Sequence, residues 1–188
     1  MVSQPVPHNR TAASILEAAA AVLAEHGRSA SMADIATATG VGRATLYRYF
    51  PTREALLRGL IAAALAELRE RVVGAELDTV PVAEGLARLT RGFLAAGSKY
   101  GALASTKQEY VADKAELDSQ LSEPIRELLA RGVDDGTLRA DLPVPVLLEM
   151  YTGLIEHALA MLLRREIGVE PAAAAVTSLF LDGATRRP

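Results

Sequence analysis

The chain of 188 residues contains no cysteine, which excludes disulfides, thiolate metal sites and cysteine nucleophiles at once. Aromatic residues are scarce at 4%, while hydrophobic residues reach 50% through alanine and leucine. That balance favours helices over strands and is enough for a substantial core. Histidine is limited to positions 8, 26 and 157, and there is no His-Glu-x-x-His, no phosphate-cradling glycine loop and no serine in a nucleophile elbow. An enzyme, a metal site and a bound cofactor are therefore not expected. The first ten residues lack an apolar core of signal-peptide length, and no later run is expected to reach the unbroken length needed to span a bilayer. These absences predict a soluble cytoplasmic protein with no membrane partner, of one large or two small domains.

Positive charge is also in short supply, with a net charge of -3, yet its distribution is uneven. Residues 1–60 hold six arginines against four acids, a balance of +2. The remainder carries fourteen basic and nineteen acidic residues, a balance of -5. Only the first third is suited to a polyanion, and the rest should face away from one.

Within that first third, residues 31–50 read as two short helices joined by a glycine turn. Ser31 precedes the apolar pair Ile35-Ala36 and is followed three residues later by Asp34, the spacing of a capping box. A helix is predicted from Met32 to Thr39, ended by Gly40, with Val41 as an apolar plug and Gly42 at the cap of the next helix. There Leu46 and Phe50, four residues apart, face inward and leave Arg43, Ala44, Thr45, Tyr47, Arg48 and Tyr49 on the remaining surface. Arg43 can reach a guanine edge bidentately, Ala44 and the Thr45 methyl suit a thymine methyl, and the hydroxyls of Thr45, Tyr47 and Tyr49 can bond phosphate.

Ile15-Leu16-Glu17-Ala18-Ala19, Gly27, Ile35-Ala36, Gly40-Val41, Thr45 to Phe50 and Arg53-Glu54-Ala55-Leu56 together resemble the N-terminal DNA-binding domain of the TetR family of bacterial transcriptional regulators. The resemblance covers roughly residues 11–58. It implies base contacts from Arg43, Ala44 and Thr45, and phosphate contacts from Tyr47, Tyr49 and Arg53. Arg10, Ser31, Met32, Gly42, Arg48 and Thr52 complete the expected DNA-facing set. Two positions depart from the family pattern: Gly42 replaces a small polar residue, and Arg53 replaces a lysine, keeping the charge but changing its geometry.

The whole chain is expected to be all-α with about nine helices. Residues 1–9 read as a flexible arm, 10–58 as a helix-turn-helix domain, and 59–188 as an effector-binding and dimerisation domain. A first helix from about Thr11 to His26 is ended by Gly27. A long fourth helix, capped by Thr52, links the domains. Pro81 opens a fifth, which Gly97 and Gly101 should break. A short sixth is expected between Tyr100 and Gln120, a seventh around Ile125 to Val133, an eighth from Pro143 or Pro145 to Leu163, and a ninth from Pro171 to about Ala184.

The last two helices carry wide apolar stripes: Leu147, Leu154, Ile155, Ala158 and Leu162 on one, Ala172, Ala175, Val176, Leu179 and Phe180 on the other. Periodicity alone fits equally the interior of a monomer and a four-helix bundle between two copies. The resemblance implies the second, hence a homodimer on a near-palindromic duplex DNA operator. It also implies a cavity for a small-molecule effector, with Leu65, Phe93, Tyr100, Tyr110, Met150, Tyr151 and His157 as candidate lining residues. A helical small-molecule carrier without sequence-specific DNA binding is the alternative.

Overall fold

A computed structural model describes residues 7–101 and 118–185. The described residues form eight α-helices: α1 (Pro7–His26), α2 (Met32–Thr39), α3 (Arg43–Tyr49), α4 (Arg53–Gly74), α5 (Val82–Tyr100), α6 (Glu123–Asp134), α7 (Val144–Leu163) and α8 (Val169–Ala184). A 3-10 turn, Gly27–Ser29, follows α1, and a π-helical turn, Asp118–Ser122, leads into α6. The only β pairing among the described residues is an isolated bridge between Leu138 and Thr185. The fold is all-α, as alanine and leucine dictate. The short helix expected between Tyr100 and Gln120 falls almost wholly outside the described residues.

Three helix limits differ from the sequence expectation. Helix α1 begins at Pro7, so residues 7–9 belong to it and not to an arm, because proline at the first helical position forfeits no internal hydrogen bond. Helix α8 begins two residues before Pro171 for the same reason, since proline is tolerated throughout a first turn. Gly97 does not break α5, which runs on to Tyr100. A Cβ at Gly97 would lie 2.7 Å from a methyl of Leu159, so this glycine permits a close helix approach.

The chain divides into two compact units, one of residues 7–65 with 99–101, the other of 66–98 with 118–185. In the first, Ile15, Ala19 and Leu23 of α1, Ile35 and Ala36 of α2, Leu46 of α3, Phe50, and Leu56 and Leu60 of α4 form one buried cluster. In the second, Leu86 and Leu89 of α5, Leu128 and Leu129 of α6, Leu147, Leu148 and Tyr151 of α7, and Phe180 of α8 form the core. A smaller cluster joins Leu94 to Ala158, Ala172, Ala173 and Val176. Tyr151 is fully buried, edge-on to Phe180 with ring centroids 5.2 Å apart. Its hydroxyl donates to the Leu86 carbonyl at 3.1 Å and lies 2.9 Å from that of Thr90, which donates to the same carbonyl at 2.7 Å. Both buried hydroxyls are thus satisfied, and burial pushes the phenol pKa upward.

The stripes on α7 and α8 divide between core and surface. Leu147, Ala158, Ala172, Val176 and Phe180 are buried within their own chain and offer no surface to a second copy, a correction to the expected interface set. They pack with residues of α5 and α6 and with one another, which periodicity could not distinguish from a facing partner. Leu154, Ile155 and Leu162 are half-buried, whereas Ala175 and Leu179 are exposed. Val146, Met150 and Leu163 of α7 join Leu179 as large apolar residues open to solvent. Helix α7 is also long and apolar enough, by length and composition, to cross a membrane, although its apolar run is not unbroken. Glu149 and Glu156 interrupt its apolar run without removing it from that class, and both are exposed.

Candidate nucleic-acid interface

Helix α2 starts where its capping residues dictate. Ser31 has extended backbone, its Oγ accepts from the Asp34 N–H at 3.2 Å, and the Asp34 carboxylate accepts from the Ser31 N–H at 2.8 Å and from its hydroxyl at 2.7 Å. The Ser31 hydroxyl is therefore engaged in the cap that the sequence announces. These bonds hold the Asp34 carboxyl below its ordinary pKa. A carboxyl depressed in the folded state contributes stability above its unfolded pKa, near 4, and loses it as pH falls through the folded value. Asp34→Asn should thus narrow the stability gap to the parent as pH drops from 7 to 3 in urea titrations. A constant gap would count against the cap.

The turn after α2 is closed by Gly40 at φ 68°, a left-handed conformation that a side chain would strain. Thr39 reinforces it, its hydroxyl donating to the Ala36 carbonyl at 3.0 Å and accepting from the Val41 N–H at 3.3 Å. Val41 packs against the core as the expected plug. Gly42 caps α3 through its carbonyl alone, accepting from Thr45 at 2.9 Å and Leu46 at 3.1 Å, with no side-chain bond.

Helix α3 buries Leu46 completely and is followed by the buried Phe50. On the opposite side Arg43, Ala44, Tyr47 and Arg48 are exposed, while Thr45 and Tyr49 are half-buried. Tyr49 packs against the core, and the Arg48 guanidinium lies over its ring, 5.5 Å from the centroid. Two guanidinium groups, two phenols and two small methyl-bearing side chains therefore crowd one short helix, a surface chemically matched to a nucleic-acid backbone and base edges.

Other expected contact residues are placed differently. Met32, half-buried on the first turn of α2, packs against the core of the same unit. Arg53 is half-buried, and its guanidinium donates to the Ala30 carbonyl, immediately before the α2 cap. Ala30 is almost fully buried, so its carbonyl needs a protein donor, and Arg53 supplies one. Nothing in the local sequence signals a bond across 23 residues. Thr52 caps α4, accepting from the Ala55 N–H at 3.1 Å. Arg10 is exposed on α1, and Arg58, which the sequence reading did not single out, is exposed on α4.

The candidate effector-lining residues are distributed over both units. Tyr151 is core, Phe93 packs beside that core, Tyr100 packs against the core of the first unit, Leu65 is half-buried, and Met150 and His157 are on the surface. Tyr110 lies outside the described residues. A cleft of about 480 Å³ in the second unit is lined instead by Arg71, Arg88, Arg91, Gly92 and Glu170, among others. Its arginines are paired internally, Arg91 with Glu170 at 3.0 Å and Arg88 with Glu84 at 2.6 Å. Among the described residues no group of three or more metal-ligating side chains occurs.

Comparison with known proteins agrees with this geometry. The family description "Bacterial regulatory proteins, tetR family" matches residues 15–60. The repressor LfrR of Mycolicibacterium smegmatis is 55% identical over 51 residues, 27% of this chain and 26% of that protein. The repressor AcnR of Corynebacterium efficiens is 31% identical over 143 residues, 71% of each chain. Among solved structures, that of LfrR from Mycobacterium smegmatis in complex with proflavine superposes with a TM-score of 0.72 at 27% identity, covering 95% of this chain and 99% of the other. With a capped helix-turn-helix, a cationic outer face on α3 and a relative similar over more than two thirds of both chains, this protein belongs to the TetR family of bacterial regulatory proteins.

Proposed function

We propose that this protein is a transcriptional repressor that binds a near-palindromic duplex as a homodimer and lets go when a small molecule binds its second unit. The observation that carries the reading is the exposed Arg43, Ala44, Tyr47 and Arg48 surface on α3, backed by buried Leu46 and Phe50. Relatives named as repressors support it. Residues 10–58 act as the reading domain and 59–188 as the regulatory part, with α4 spanning the junction. The protein works in the cytoplasm, where duplex DNA is available.

The dimer rests on Val146, Met150, Leu163 and Leu179, large apolar side chains exposed on α7 and α8. A balance of only +2 over residues 1–60 gives one copy weak electrostatic affinity, so two linked heads are needed for tight binding. A twofold dimer sets two copies of α3 into successive major grooves, with half-sites one helical turn or more apart. Effector release draws on the LfrR structure solved with proflavine. To regulate, the effector must favour one state over the other by about 1–3 kcal/mol.

Selection of duplexes from a random DNA pool by the full chain tests this reading. The expected product is an inverted repeat whose binding weakens steeply with salt. Recovery of no enriched motif would sink the repressor assignment in favour of a helical carrier.

A further inference from the structure

We propose that the cleft between the C-terminal part of α4, α5 and the start of α8 binds a small molecule bearing a carboxylate or phosphate group, with Arg91 and Arg71 as its anion-holding residues. The site is argued from its own side chains and stands whether or not its occupant also releases DNA.

Every residue lining this cleft of about 480 Å³ belongs to the second unit, and the volume suits a small metabolite. Gly74, Ala75, Gly92 and Ala95 keep it open, since none has a side chain larger than a methyl. A Cβ on Gly92 would lie 3.1 Å from the Arg71 Cβ and 3.3 Å from its Cγ and Cδ. The Arg71 stem therefore runs along the bare backbone of Gly92, one residue from Arg91. Two cations from different helices are brought to neighbouring positions in this way.

The arginines of the cleft are not equally occupied. Arg88 is spent on the protein: its terminal nitrogens donate to the Ala75 carbonyl at 3.2 Å, to Glu76 at 3.4 Å and to Glu84 at 2.6 Å. Arg71 commits only Nη2, to Glu67 at 3.2 Å. Arg91 commits only Nε, which lies 3.2 and 3.0 Å from the two carboxylate oxygens of Glu170. A guanidinium carries five N–H groups, so the end-on edge of Arg91 and the Nε and Nη1 of Arg71 still have hydrogens to donate. That edge takes carboxylate or phosphate oxygens two at a time.

Glu170 shows what the site accepts. Its carboxylate, 79 residues along the chain, is already held by Arg91 from across the cleft. The side chains of this pair are 59% and 68% exposed, so water screens it and it holds weakly. A ligand anion can displace Glu170 or add beside it on the open edge, and in either case Glu170 is a built-in competitor.

Calorimetric titration of the full chain without DNA, at low salt, tests the site with succinate, inorganic phosphate and the neutral succinamide. Saturable binding is expected for succinate or phosphate and none for succinamide; the tighter of the two anions names the group recognised. Arg91→Gln should weaken binding by about 10-fold or more, and Arg71→Gln should weaken it in the same direction. Glu170→Gln should instead tighten it, by up to about 5-fold, because the competing carboxylate is gone. Arg164, paired with Glu166 on the surface at 2.6 Å and outside the cleft, is the matched control, and Arg164→Gln should change nothing. Circular dichroism confirms that the variants fold. No saturable binding of either anion, equal binding of succinamide, or equal losses in Arg91→Gln and Arg164→Gln would overturn the site. No duplex enters the titration, so such a failure is distinct from a failure of the repressor reading.

Discussion

Leu46→Ala should destabilise the reading domain by about 3–5 kcal/mol and abolish retention of the selected duplex near 37 °C, although Leu46 faces away from the DNA-facing surface. Leu46 is fully buried among residues of α1, α2 and α4. Truncation removes its transfer free energy and leaves a cavity that helices this short cannot close without losing α3. Helix α3 has seven residues, too few to persist without tertiary packing. A loss of that size is a large share of the 5–15 kcal/mol typical of a whole domain. Leu46→Met, which nearly conserves volume, should cost under about 1.5 kcal/mol and keep binding. Urea unfolding of the three proteins, with gel retardation in parallel, measures both effects. Wild-type stability in Leu46→Ala would show that α3 is held by something other than this contact.

The second large effect is expected at the opposite end of the chain. Met150 and Leu179 are 60% and 65% exposed, so changing both to glutamate removes little packing within one copy. In a dimer across α7 and α8, the same change places four carboxylates in an apolar interface, where burying an unpaired charge costs several kcal/mol. Sedimentation should shift from twice 19.9 kDa to 19.9 kDa. Affinity for the full inverted repeat should fall by about 10²- to 10⁴-fold, since two linked heads become two separate ones. Binding to a single half-site should change little. A double variant that still sediments as a dimer with full affinity would move the interface elsewhere on the molecule.

Most of the reading domain was legible from residues three or four apart. Met32–Thr39 has the limits that Ser31, Asp34 and Gly40 announce, because a capping box and a left-handed cap are closed within one turn. The inward pair Leu46 and Phe50 and the outward Arg48 followed from the helical period. Relations spanning tens of residues were not legible. Arg53 read as a phosphate ligand, and nothing near it announced that its guanidinium also donates to the Ala30 carbonyl. Gly97 read as a helix breaker, whereas Leu159 packs where its side chain would be. Tyr151 read as a candidate cavity wall, and nothing near it announced that Thr90 and the Leu86 carbonyl satisfy its buried hydroxyl.

By itself the sequence determined the helical class, the position of the turn between α2 and α3, and the cationic character of the surface on α3. Each depends on local propensity, capping or period, which a few neighbouring residues decide. Only the tertiary structure decided which apolar residues of α7 and α8 stay at the surface, and that Arg48 rests on Tyr49 while Arg43 does not. A stripe of leucines has the same period whether it meets its own chain or solvent. Where an arginine points is settled by the ring or carbonyl that packing brings beside it.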